Sequence, residues 1–137
     1  MQLVPVASHG VKECWDWIEP EIARVLARTG RFTPESILKG LEAQDYQLWL
    51  AVENGELFCA CVTEIIDFPL VRVCNVFLAA GKDAERWQCY MLDLQAWAKE
   101  NGCQKMETLV RPGFGRLLKK IILNLRIPHH HLEWDIG

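Results

Sequence analysis

The chain has 137 residues, 50% of them hydrophobic and 24% charged, with a formal net charge of −3 and a pI near 5.8. That length suits one domain with one core, and the slight acidity argues against electrostatic binding to nucleic acid or anionic lipid, which needs a basic face. No stretch approaches a membrane span, and MQLVPVASHG has no basic region ahead of an apolar run, so neither a membrane helix nor a signal peptide is expected.

Residues 2–7, QLVPVA, predict an edge strand, where Pro5 is tolerated. From Val11 to Arg28 the residues Val11, Cys14, Trp15, Ile18, Ile22, Val25 and Leu26 recur at helical spacing, so an amphipathic helix is expected, with a kink or restart at Pro20 and a stop at Gly30. In Thr33-Pro34-Glu35-Ser36 the threonine suits an N-cap and the proline the first helical position. Ser36 stands where a capping box calls for Glu or Gln, so no box is expected, and the helix ends near Ala43. Tyr46–Val52 reads as a strand, Asn54-Gly55 as a type I′ hairpin turn, and Glu56–Ile66 as the returning strand. Asp67-Phe68-Pro69 is a second turn, and Val71–Ala79 completes an antiparallel meander.

Glu85–Asn101 predicts a helix burying Trp87, Met91, Leu94, Trp97 and Ala98, with Gly102 as its left-handed cap. A strand, Lys105–Val110, then crosses over to lie parallel to Val71–Ala79. Arg111-Pro112-Gly113 opens a last helix from Phe114 to about Leu123, and HHHLEWDIG closes with a short strand. Arg111, Arg116, Lys119, Lys120 and Arg126 crowd this end and read as a solvated face. The order β-α-α-β-β-β-α-β-α-β describes one α+β domain, residues 1–137, built on a mixed sheet: an antiparallel meander plus a crossover strand, flanked by about four helices.

Six scattered cysteines, Cys14, Cys59, Cys61, Cys74, Cys89 and Cys103, sit inside apolar patterns, which fits free thiols in a reducing cytoplasm. Cys59 and Cys61 flank Ala60 in a strand and share a face as core residues; without a second ligand pair they do not signal zinc. His129-His130-His131 are consecutive, and neighbours on an extended chain point opposite ways, so no metal site is expected. Of six tryptophans, Trp17 and Trp134 are the candidates for an interface.

The element order, with LDLQAWAKENGCQKMETLV as third helix, glycine and fifth strand and RPGFGRLLKKI as fourth helix, resembles the GCN5-related N-acetyltransferase (GNAT) fold over nearly the whole chain. It is also similar to small GNAT-like proteins encoded by bacteriophages. The resemblance implies acetyl-CoA as acyl donor. The backbone of Val76, Phe77 and Leu78 would hold its pantetheine, and Gly81, Lys82 and Arg86 its pyrophosphate. The family's turn carries Arg or Gln, two residues, Gly, one residue, then Gly or Ala. Ala79-Ala80-Gly81-Lys82-Asp83-Ala84-Glu85-Arg86 has one glycine without the spaced second, so the loop is degenerate. Asp83 suits an N-cap and Glu85 adds negative charge, so the turn reads as a capped helix start more than a phosphate cradle.

The chemistry would be attack of an amine on a thioester, helped by a base and often by an acid. Glu64 and Asp67 are the base candidates, at the end of the second meander strand; a solvated strand end and a turn-forming Asp explain them as well. The family's acid, a Tyr on the fourth helix, is missing, since only Tyr46 and Tyr90 exist. Asn75, polar within an apolar strand, marks either a bulge or a solvent-facing position, and Cys74 reads as a structural thiol. The apolar tail from Ile121 to Ile127 leaves no room for a full closing hairpin and favours self-association. Two readings stay open: a GNAT-type N-acyltransferase acting on a small amine or protein amino group, or a non-catalytic GNAT-fold contact protein such as a phage assembly or virion component.

Overall fold

The computed structural model describes residues 2–110 and 112–137, and the side chains of all of these except Gln2, Ala84, Glu85 and Pro112. The charges expected of Glu85 and Arg111 therefore lie outside the described residues. Five strands form one mixed sheet in chain order. β1 (Gln2–Val6), β2 (Gln47–Glu53), β3 (Glu56–Asp67) and β4 (Arg72–Gly81) pair antiparallel, and β5 (Lys105–Thr108) lies parallel to β4. β1 is an edge, the place where a sheet accepts Pro5. Asn54 and Gly55 have φ of 50° and 75°, as a type I′ turn requires.

Alternation along the strands sends side chains to two opposite cores. On one face Leu48, Leu50, Ala60, Val62 and Leu78 pack against Ile18, Ile22, Ile37 and Leu41 of helices α1 (Val11–Thr29) and α2 (Pro34–Glu42). On the other face Trp49, Ala51, Cys59, Cys61 and Val76 pack against Trp87, Met91, Leu94 and Leu118. These come from α3 (Ala84–Trp87), α4 (Tyr90–Glu100) and α5 (Pro112–Lys119). Ile18 and Ile22 are fully enclosed, and burying each stabilises the fold by about 1.5–3 kcal/mol. The polar residue of this sheet interior, Thr63, accepts from Trp49 Nε1 at 3.1 Å and donates to Gln47 Oε1 at 2.9 Å, so its burial leaves no orphan.

Helix ends follow local chemistry. α1 runs unbroken through the exposed Pro20 and stops at Gly30, whose φ is 65°. The α4 C-terminus is a Schellman turn: Gly102 N donates to Lys99 O and Cys103 N to Ala98 O, with Gly102 at φ 81°.

Four expectations are corrected. The capping box of α2 exists: Ser36 Oγ accepts from Thr33 N at 3.0 Å and Thr33 Oγ1 from Ser36 N at 3.1 Å. A serine hydroxyl reaches back as a Glu or Gln would. The helix expected over Glu85–Asn101 is two helices, with a turn at Gln88 and Cys89; no Pro or Gly marks the break, so the apolar spacing reads straight through it. The last helix ends at Lys119, not Leu123. Beyond it, residues 120–137 form no strand; the tail is tied down by an ion pair, Glu133 Oε2 to Arg31 Nη2 at 2.5 Å. Residues 132–136 alternate as a strand would, yet lie against no paired edge, and an extended segment without ladder bonds is left to water.

Candidate active site

The sheet is irregular at two places, and both shape the site. Val62 pairs with Leu78 and Thr63 with Val76, so Phe77 is an extra residue in β4. Such a bulge uses one residue without alternation. Phe77 and Leu78 consequently both pack toward the α1–α2 face, while Val76 faces the other. The bulge lies at Phe77 and not at Asn75, which pairs normally with Glu64 and with Glu107.

The same point is where β4 and β5 part. Their parallel ladder runs from Val73–Lys105 to Val76–Thr108 and ends there, closed by Thr108 Oγ1 donating to Val76 O at 2.8 Å. β4 continues to Gly81 beside β3 alone. Among the described residues, one edge of Phe77–Gly81 is therefore unpaired. The Phe77 ring sits in an aromatic group, 4.9 Å from Tyr46 and 5.6 Å from Phe32 at the α1–α2 loop. Gly40 makes room for Tyr46: a Cβ there would fall 2.3 Å from the ring.

The second bulge is in β3. Ala51 pairs with Cys59 and Val52 with Leu57, leaving Phe58 as the extra residue. Gly81 packs directly on it, and a Cβ on Gly81 would lie 2.2 Å from Phe58 O. Lys82 N also donates to Phe58 O at 3.0 Å. The buried Phe58 ring carries two cations, Lys82 Nζ at 5.5 Å and Arg86 Cζ at 4.2 Å from its centroid. Each cation has a carboxylate from the β2–β3 hairpin: Lys82 Nζ meets Glu56 Oε1 at 2.5 Å, and Arg86 pairs with Glu53. The Lys82 hydrogen bond and charge hold Glu56 below the usual carboxylate range, and Glu56 in turn raises Lys82. A groove of about 360 Å³ opens beside the hairpin, between Trp17 and Glu21 of α1 and Gly81-Lys82.

Asp83 does not take an N-cap geometry. Its φ is 56°, in the left-handed region, its carbonyl accepts from Arg86 N at 2.8 Å, and its carboxylate lies 4.0 Å from Arg86 Nη1. N-caps use extended backbone. The helix that follows is a single turn, Ala84–Trp87, too short to build the macrodipole of a long helix.

Glu64 and Asp67 lie together on the rim of a second, shallow cavity of about 620 Å³ with Tyr46, Gln47 and Arg72. Glu64 is half-buried and sits opposite Asn75, two residues before the bulge; Asp67 is exposed and pairs with Arg72 at 3.4 Å. Burial, then the charges of Glu64 and Asp45, push the Tyr46 hydroxyl above its ordinary pKa. This cavity and the Phe58 platform are separate, so the structure groups the base candidates with Tyr46 and the cations with Glu53 and Glu56.

Cys59, Cys61 and Cys74 are buried free thiols of the sheet. Cys59 and Cys61 lie with Sγ atoms 3.3 Å apart in the buried sheet, and the hydrogen bond between them followed by burial pushes the Cys59 thiol up. Burial raises Cys74 to about 12. Among the described residues no cluster of metal-ligating side chains forms and no helix is long and apolar enough to cross a membrane.

The residues that sequence reasoning missed are Phe58, Glu53, Glu56 and Trp87. The signal for Glu53 and Glu56 was present: in Glu53-Asn54-Gly55-Glu56 two carboxylates face each other across a tight turn, a repulsive pair that calls for cations nearby. Trp87 Nε1 and Gln88 Oε1 are buried polar atoms without a partner among the described residues.

No protein-family model matches the chain, and no curated protein matches it by sequence. Solved structures do match. A probable acetyltransferase aligns over 100% of this chain and 97% of its own at 16% identity, with a TM-score of 0.73. A predicted acetyltransferase from Clostridium acetobutylicum, determined with acetyl-CoA, covers 98% of this chain and 95% of its own at 17% identity and TM-score 0.70. A ribosomal-protein-alanine N-acetyltransferase from Brucella melitensis covers 99% and 100% at 14% identity and TM-score 0.66. At these identities the likeness establishes the fold: the chain has the GNAT α+β architecture.

Proposed function

We propose that the chain is an acyl-CoA-dependent N-acyltransferase. The observation that carries this reading is the parting of β4 from β5 at the Phe77 bulge, which leaves one edge of Phe77–Gly81 open to a ligand. Acetyl-CoA supplies a thioester carbonyl that an amine can attack. The open edge beyond Val76 offers backbone groups for the pantetheine arm, whereas the carbonyl of Val76 is already taken by Thr108. Trp87 Nε1 and Gln88 Oε1, buried without a partner among the described residues, each cost about 1–3 kcal/mol. Lys82 and Arg86 meet the phosphates as side-chain cations, with Gly81 shaping the turn.

On the acceptor side Glu64 takes the amine proton, directly or through one water. Asp67, held by Arg72, orients the incoming ammonium, and Tyr46 stays protonated beside them. Helix α5 has no tyrosine, so solvent protonates the departing thiolate. The test is thiol release from acetyl-CoA over a panel of primary amines, compared with Glu64→Gln. Turnover should fall by about a hundredfold in the variant, the ordinary share of a general base. Unchanged turnover in Glu64→Gln removes the base assignment, and release that no amine stimulates argues against transfer.

A second reading is favoured by a different observation. Leu123, Ile127, Leu132, Trp134 and Ile136 are 75–98% exposed, and exposed apolar groups in number mark contact surfaces. A GNAT-fold protein that works by contact, self-association or a place in a phage assembly included, would use this tail and leave the donor cleft empty.

A further inference from the structure

We propose that the β2–β3 hairpin is the specificity-determining element for the acyl donor: the carboxylates of Glu53 and Glu56 stand on the two cations that a donor's phosphates would need. The inference rests on the donor reading above and deepens it. Four observations meet at this point. Lys82 and Arg86 are both laid on the Phe58 ring, which fixes them side by side. Each is paired with a hairpin carboxylate, Lys82 with Glu56 and Arg86 with Glu53. Glu53 and Glu56 are themselves direct cross-strand partners. The backbone amide of Lys82 is turned away from any ligand, donating to Phe58 O at 3.0 Å.

The physical consequence is a competition. Two carboxylates opposite each other repel, and Lys82 and Arg86 are what offsets that repulsion. A pyrophosphate that takes the cations returns the repulsion to the hairpin, so it must displace Glu53 and Glu56 together. A donor that ends at the pantetheine escapes this, because it reaches the open edge of β4 without touching the cations. The hairpin thus sets the turn against polyanionic donors and leaves the sulfur-bearing end of the cleft unaffected. The single turn of α3 supplies Arg86 but is too short to add a macrodipole, so the balance is carried by side chains.

The experiment is calorimetric titration of the full chain with three probes: acetyl-CoA, inorganic pyrophosphate and S-acetylpantetheine. Wild type is compared with Glu53→Gln/Glu56→Gln and with Glu53→Gln alone, thermal unfolding showing that each is folded. The double variant should bind acetyl-CoA and pyrophosphate roughly tenfold more tightly, the single variant should fall between, and S-acetylpantetheine should be unchanged. Equal or weaker acetyl-CoA binding in the folded variants overturns the proposal while leaving the donor reading in place. A similar gain for all three probes also overturns it, because the effect would then not be read by phosphate. Failure of every protein to bind both acetyl-CoA and S-acetylpantetheine overturns the donor reading, and the hairpin's role falls with it.

Discussion

At the scale of single residues, Gly81 shows that a glycine before a helix can serve packing instead of a ligand. A lone glycine between a strand and a helix suggests a backbone opened for phosphate. In the structure its lack of a side chain serves the approach of β4 to the Phe58 bulge, where a Cβ would sit 2.2 Å from a carbonyl oxygen. Backbone cannot yield as a flexible side chain does, so Gly81→Ala should destabilise the fold by roughly 1–3 kcal/mol, the usual cost of overpacking. Urea denaturation checks this, and an unchanged midpoint would show that the two strands can separate without penalty. A change at Gly81 is consequently a poor probe of ligand binding. The specific pairing of Lys82 and Arg86 was not legible, because their partners Glu56 and Glu53 lie 26 and 33 residues away in sequence. Only the facing carboxylates of the ENGE turn hinted that cations would be recruited.

At the scale of elements, strong local chemistry was readable and weak local chemistry was not. Asn54-Gly55, Gly30, Gly102 and the Thr33-Pro34 start each impose a backbone state that few other residues allow, and those boundaries hold. The break at Gln88-Cys89 has no such marker, and the apolar spacing of Trp87, Met91 and Leu94 continues across it. The two bulges are equally silent, since a bulge is defined by register against a partner strand. The tail failed as a strand for a tertiary reason: alternation in residues 132–136 is necessary for a strand but does not supply a paired edge. It divides energetically. Ile121, Ile122 and Leu125 pack against the α3–α5 core, while Ile127, Leu132, Trp134 and Ile136 are exposed and Glu133 holds Arg31 on the surface. Truncation after Leu125 should shift the thermal midpoint by no more than about 2 °C, because exposed ion pairs contribute little. Truncation after Lys119 should lower it by about 5 °C or more, through lost apolar burial. Equal effects of the two would place the tail's contribution beyond Leu125.

At the scale of the whole molecule, topology was the most legible property. The antiparallel meander and the parallel crossover strand follow from element order and handedness, and the acetyltransferase structures share the architecture. Activity is not contained in that order. It depends on whether the gap beyond Val76 takes a donor in spite of the hairpin carboxylates. The most direct measurement is calorimetric titration of the intact protein with acetyl-CoA, repeated with CoA as competitor. The account predicts saturable binding at one site per chain, displaced by CoA. No heat and no thermal shift at millimolar acetyl-CoA would contradict it.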